Sequence, residues 1–175
     1  RRVLFRSVFH DTRKFGRMTL TTDLHRIFGR LGPEPFDPTL DAKVFHQSLK
    51  THRRMLKPLL LDQSFLAGLG NIYVDESLFA AKLHPCEHAC NTTFLDADRL
   101  LQAIRSVLRN SIEHRGTSLG DGEGNFISDG RYGTNASRLQ VFHRTGEPCP
   151  RCSTIIERLV VSQRGTHICP QCQRL

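Results

Sequence analysis

Four cysteines near the C-terminus fall into two Cys-x-x-Cys pairs, Cys149 with Cys152 and Cys169 with Cys172, sixteen residues apart. Each pair can place two thiolates on one tight knuckle, and two knuckles complete a tetrahedral four-sulfur shell around zinc. Between them, TIIERLVV and THIC read as two strands joined by the turn SQRG. The expected unit is a zinc ribbon, a β-hairpin clamped at its open end by one ion. Four thiolates leave zinc no open coordination position, so this zinc is structural. A redox Cys-x-x-Cys pair needs a thioredoxin-like βαβ setting, which the flanking sequence lacks. The opening RRVLFRSVFHD is too polar for a signal peptide, and a reducing compartment disfavours disulfides. Cys86 and Cys90 stand apart in HPCEHAC, whose spacing has no familiar ligand geometry and is expected to be a loop.

The 175 residues carry a net charge of +8, with a sequence pI of about 9.6. That balance favours a polyanionic partner, nucleic acid before anionic membrane. The sequence has no apolar stretch of the length needed to span a bilayer, so no transmembrane helix and no membrane partner are expected.

Hydrophobic spacing organises the rest. Residues 1–20 read as one or two strands with a turn at 11–16, a chain entered midway through a strand. Thr22 is expected to cap a short helix ahead of the breaker-rich GPEPFDP. Phe45, Leu49 and Leu56 mark the apolar face of the next helix, and Pro58 sits near a further helix start. Asn71 is expected to cap a helix running to about Lys82, with Asp75 and Glu76 near its favourable end and only a stripe buried. The clearest helix covers 96–114, with Leu100, Leu101, Ile104, Val107, Leu108 and Ile112 on one face. Residues 115–135 hold six glycines without periodicity and read as a loop. LQVFH (139–143) reads as a short strand.

The stretch LAGLGNIYVDESLF (66–79) sets a glycine-rich turn against a helix start, an arrangement that presents backbone N–H groups to an anion. Nucleotide-binding readings do not fit it. The preceding KPLLLDQ is helical in pattern, no Gly-x-Gly-x-x-Gly occurs, and Lys57 lies upstream of the turn. Arg164, in the hairpin turn, is either a solvated arginine or a phosphate fork.

Residues 57–85, KPLLLDQSFLAGLGNIYVDESLFAAKLHP, resemble the helix–two-turn–helix motif of formamidopyrimidine-DNA glycosylases (the Fpg or MutM family). CPRC…QRGTHICPQCQ resembles the zinc finger that closes those proteins, and HDTRKFG (10–16) their loop that probes DNA opposite the lesion. The motifs keep the family's order and span nearly the whole chain. VFHR and IIE lean toward the sister group, endonuclease VIII, whereas GLGNIYVDESLF and RGTHICPQCQ match the formamidopyrimidine group better. GEGNFISDGRYG departs from the family's usual loop text, which bears on lesion preference.

The resemblance implies an α+β fold: a mainly α helix–two-turn–helix domain (21–144), a four-cysteine zinc finger (145–175) and a remnant of an N-terminal β-sandwich (1–20). It implies phosphate contacts from Gly70, Asn71, Lys57, Arg53 and Arg164, with neighbouring Arg54 adding charge. Arg13 and Phe15 enter the duplex, Phe15 as a wedge and Arg13 against the orphaned base, with Lys14 between them also DNA-binding. Arg164 is also implied as proton donor in the late elimination step. The implied partner is double-stranded damaged DNA, bound by a monomer in the bacterial cytoplasm at the nucleoid. The family's chemistry belongs to an N-terminal proline that attacks the sugar C1′, a following Glu and a β-domain Lys, none of which these residues contain. The expectation is therefore the DNA-binding portion of a bifunctional glycosylase/AP lyase for oxidised purines (formamidopyrimidine, 8-oxoguanine), inactive alone. Three other readings stand beside it: a non-catalytic zinc-containing nucleic-acid-binding module, an endonuclease VIII-like glycosylase for oxidised pyrimidines, and a protein-interaction scaffold.

Overall fold

Helix α5 (Phe94–Glu113) is set by its first turn, in the computed structural model, which describes residues 16–119 and 132–175. The Asp96 N–H donates to Thr93 Oγ1 and the Thr93 N–H to Asp96 Oδ2, a capping box that satisfies two donors reciprocally. The expected strands and turn within 1–15, and residues 120–131 of the glycine-rich segment, lie outside the described residues; residues 16–20 carry no strand. From α5, Ala97, Leu100, Leu101 and Ile104 are buried. Ile112 was expected on that face but is 68% exposed, because the core ends a turn earlier.

The remaining helices are α1 (Leu24–Phe28), α2 (Ala42–Lys50), α3 (Leu56–Leu60) and α4 (Asn71–Ala81). Asp23, not Thr22, caps α1, its carboxylate accepting the Arg26 N–H. Phe45 and Leu49 belong to α2, but Leu56 opens the separate α3, since the chain leaves helical geometry after Thr51. Pro58 sits in the first turn of α3, where a missing N–H removes no helical bond. Phe45, Leu49, Leu56, Leu59, Leu60, Val74, Leu78, Leu100, Leu101 and Ile104 form the main core.

Two turns join α3 to α4, one closed by the Phe65 N–H on Asp62 O and one through left-handed Gly68. Asp62 pins the first: it accepts the Ser64 hydroxyl and N–H and the Arg54 guanidinium. These donors, Ser64 first, pull its carboxyl down to about 2. A depressed carboxylate stabilises the fold above its unfolded pKa and loses that contribution as pH falls through the folded value. Asp62→Asn should therefore flatten the loss of thermal stability between about pH 4 and pH 2. Melting curves in that window check it, and an unchanged slope would refute it.

Helix α4 departs from its expected stripe. Every residue from Val74 to Phe79 is buried, because the helix lies between the main core and a second cluster of Phe79, Val141, Cys149, Ile156 and Cys169. Its C-cap, Lys82, takes the left-handed conformation (φ 58°) that lets its N–H reach the Leu78 and Phe79 carbonyls.

Strands β1 (Glu157–Val161) and β2 (Arg164–Ile168) pair antiparallel, from Val161 opposite Arg164 to Glu157 opposite Ile168. The two-residue connection places Ser162 and Gln163 at φ 47° and 64°, the handedness that matches strand twist. Arg164 accordingly opens β2 and does not lie within the turn. The expected strand LQVFH does not form, for a reason found in α4. The whole is an α+β fold dominated by helices.

Candidate functional site

Among the described residues β2 has β1 on one side only, and a bare strand edge invites unwanted pairing. Here side chains cover it. The Gly165 carbonyl accepts from Lys57 Nζ (2.9 Å) and from Asn71 Nδ2 (3.1 Å). Two residues on, the His167 N–H donates to Asp75 Oδ2 (2.9 Å). Residues of α3 and α4 thus replace a neighbouring strand.

Lys57 and Asp75 also meet each other at 2.5 Å with both side chains fully buried. Burial pushes the Asp75 carboxyl up and the Lys57 ammonium down, while the pair's attraction and its hydrogen bonds oppose both shifts. This corrects the expectation for Lys57. Its ammonium faces inward, partnered on Asp75 and Gly165, so it cannot present a charge to a phosphate. Asp75 and Glu76 are likewise not solvated helix-end charges.

Glu76 supplies the reason for the missing strand. Its carboxylate accepts the N–H groups of Gln140, Val141 and Phe142 at 2.9 to 3.1 Å. One side chain takes the donors that a sheet neighbour would have taken, and the segment curls around it. Burial raises the Glu76 carboxyl, with the three N–H bonds opposing.

Asn71 is the first residue of α4, and Gly70 is its N-cap, correcting the expected cap. Freed from capping, the Asn71 amide reaches Gly165; its Oδ1 is buried with no hydrogen-bond partner among the described residues. The first intrahelical donor of α4 is Val74, so the amides of Asn71, Ile72 and Tyr73 precede it. Gly70 is exposed, and among the described residues nothing lies within 4 Å of where a Cβ there would be.

Arg164 is exposed and directly precedes the glycine that Asn71 holds. Arg158, which the sequence reading passed over, lies alongside: its guanidinium sits 3.0 Å from where a Cβ at residue 165 would be. Gly165 makes room for that side chain to lie across the strand. The signal was the glycine after Arg164 combined with hairpin register, which sequence alone does not supply. Arg53 is exposed on the link between α2 and α3, its carbonyl accepting from His88 Nδ1, while Arg54 is paired to Asp62. The structure brings Gly70, Asn71 and Arg164 together and leaves Arg13, Lys14 and Phe15 outside the described residues.

The glycine-rich segment is closed at its neck. Thr117 bridges Thr134, Asn135 Nδ2 donates to Thr117 Oγ1 (2.9 Å), and Tyr73 of α4 reaches Ser111 (2.5 Å) and Thr117 (3.3 Å).

At the far end of the hairpin, the sulfurs of Cys149, Cys152, Cys169 and Cys172 lie within 4.8 Å of one another. Their closest separations are 3.4, 3.5 and 4.0 Å. Tetrahedral ligation at the usual Zn–S length needs about 3.8 Å between sulfurs, so the set fits. Bonds from Thr154 pull Cys152 down to about 6, whereas burial and the crowding sulfurs push Cys172 up to about 12, a crowding that a dication relieves. Cys86 and Cys90 are half-buried and join no such cluster among the described residues.

Comparison with known proteins adds six findings. The family model described as "Formamidopyrimidine-DNA glycosylase H2TH domain" matches residues 31–122, and "Zinc finger found in FPG and IleRS" matches residues 146–175. The four-cysteine cluster accordingly holds one structural zinc. A formamidopyrimidine-DNA glycosylase of Protochlamydia amoebophila is 49% identical over 167 residues, covering 95% of this chain and 60% of that protein. One of Herpetosiphon aurantiacus is also 49% identical, covering 94% and 60%. The chain thus spans about three fifths of these relatives' length. The crystal structure of MutM (Fpg) from Thermus thermophilus superposes with a TM-score of 0.87 at 44% identity, over 94% of this chain and 63% of that one. Lactococcus lactis Fpg in complex with DNA containing an abasic site superposes at 0.78 and 36% identity, over 87% and 55%.

Proposed function

The chain belongs to the formamidopyrimidine-DNA glycosylase family, and we propose that it is the DNA-holding portion of a base-excision-repair glycosylase/AP lyase acting on oxidised purines. The observation that carries this reading is the junction of α4 and β2. Asn71, at the open helix start behind Gly70, holds the carbonyl of Gly165, the residue that follows Arg164. Backbone amides and a rigid guanidinium fork are complementary to phosphate oxygens and carry no base code. Arg158 and Arg53 add charge to that grip. Arg13 and Phe15 serve the duplex interior, Lys14 adds a DNA contact, and Arg164 has the second role of late proton donor. The unit is a monomer acting in the bacterial cytoplasm on damaged double-stranded DNA; no described helix is long and apolar enough to cross a membrane. Residues 21–144 and 145–175 are its two modules, though α4 belongs to the packing of both.

The chain holds DNA but does not cut it. A lyase of this kind forms a Schiff base through an unprotonated amine. Lys57 is sealed in its ion pair and offers none. Borohydride trapping on abasic DNA should yield no covalent adduct with this polypeptide, and a trapped adduct would overturn the assignment. In gel shifts, Asn71→Ala and Arg164→Ala should each weaken binding to all duplex sequences alike and reduce the salt slope by about 0.9. Loss confined to some sequences would contradict phosphate contact.

A further inference from the structure

Gln173, next after the last metal-binding cysteine, is fully buried, an unusual place for a carboxamide. Its backbone N–H donates to Cys169 O (2.9 Å) and its Oε1 accepts the Cys169 N–H (3.0 Å). Its Nε2 donates to Leu83 O (2.9 Å), just past the end of α4. One side chain thus ties the knuckle 169–172 to the helix. The other knuckle is tied through Arg151, which stands between Cys149 and Cys152. The Arg151 guanidinium donates to Phe79 O (2.7 Å) and Ala80 O (3.3 Å) and lies over the Phe79 ring, 4.2 Å from its centroid.

A helix C-terminus leaves carbonyls without helical donors and favours a nearby cation. α4 has no basic residue in its own last turn. Arg99 of α5 serves Ala81 O, and the two metal-binding knuckles serve Phe79, Ala80 and Leu83. The contacts form a ladder along the helix: Asn71 meets Gly165, Asp75 meets His167, and Leu83 meets Gln173. The 11 residues of α4 and the 5 of β2 both rise about 16 Å, so strand and helix keep step. The knuckles are therefore docked on α4 independently of the hairpin edge.

We propose that Gln173 and Arg151 are positioning residues of the metal site. By fixing both cysteine knuckles on the C-terminal turn of α4, they hold the four sulfurs at ligating distance, so zinc affinity depends on that helix as well as on the thiolates. Groups that orient a ligand from behind commonly strengthen metal binding in this way. Without the Gln173 side chain, the buried Cys169 N–H loses its acceptor and the knuckle 169–172 loses its tie to Leu83. Without Arg151, the knuckle 149–152 loses its hold on the helix end.

The test is competition of the zinc-loaded 175-residue chain against a chromogenic zinc chelator, with melting curves recorded alongside. Gln173→Leu should lower zinc affinity about 10- to 100-fold. Arg151 is exposed, so Arg151→Met tests the second tie even where the buried change impairs folding, and it should lower affinity about tenfold. Arg174 is also exposed, close to Cys172, with no bond to α4 among the described residues. Arg174→Met removes the same charge and should leave affinity at the parent value. Ile104→Val, in the main core, should melt lower with zinc affinity unchanged. Parent-like affinity in Gln173→Leu or in Arg151→Met overturns the role of that residue. An equal loss in Arg174→Met would assign the Arg151 effect to charge alone, and an equal loss in Ile104→Val would assign both effects to general stability; either result overturns the proposal.

Discussion

Lys57→Met should lower the unfolding free energy by about 3–5 kcal/mol, the cost of stranding a buried charge. Asp75, its side chain fully buried, would keep only the His167 N–H and ring. The Gly165 carbonyl would fall back on Asn71 alone. Asp75→Leu should cost as much, for it strands the ammonium instead. The double variant Lys57→Met with Asp75→Leu should lie closer to the parent than either single change, since apolar side chains of similar volume can replace a buried pair at little cost. It should still fall short by about 1–3 kcal/mol, because the His167 N–H loses its acceptor. Urea titrations of the four proteins close the cycle. Single variants within about 1 kcal/mol of the parent would show that the pair contributes nothing net.

Zinc removal should have the larger effect. A structural site of four cysteines contributes about 10–16 kcal/mol of apparent binding free energy, and that energy is folding energy. Without it the β1–β2 hairpin is a two-stranded ribbon with two left-handed non-glycine residues in its turn, a unit marginal by itself in water. Its loss uncovers Lys57 and Asp75 and detaches Arg158 and Arg164 from the grip. Chelation at neutral pH, or Cys169→Ser, should remove the hairpin's protection from amide exchange and reduce the salt slope of DNA binding by about 1.8, two phosphate contacts. Chelated protein with an unchanged melting temperature and an unchanged slope would sink the expectation.

Local chemistry made much of this legible in advance. Cys149, Cys152, Cys169 and Cys172 announce their site because ligand spacing is itself the geometry, and α5 shows through its helical period. Asn71 and Arg164, far apart in sequence, could be paired only through resemblance, and the Asn71 bond to the carbonyl of Gly165, next in chain to Arg164, accounts for the pairing. What misled were charges read as surface. Lys57, Asp75 and Glu76 look solvated in sequence because periodicity assumes one buried face, whereas α4 is packed on nearly all sides. LQVFH has strand composition, but no rule of alternation knows that one glutamate waits to take its amides. Arg158 became visible only when register set it beside Gly165.

α4 contributes Val74 and Leu78 to one cluster and Phe79 to the other, and its carboxylates bind the hairpin edge and the segment before it. A hinge between these parts would have to tear that helix out of two packed interiors, so the parts cannot swivel against each other as beads on a tether do. Under the proposed function, a duplex arriving at this surface would meet a mould already set. The freedom that a jointed clamp surrenders at every encounter was surrendered here once, when the chain folded.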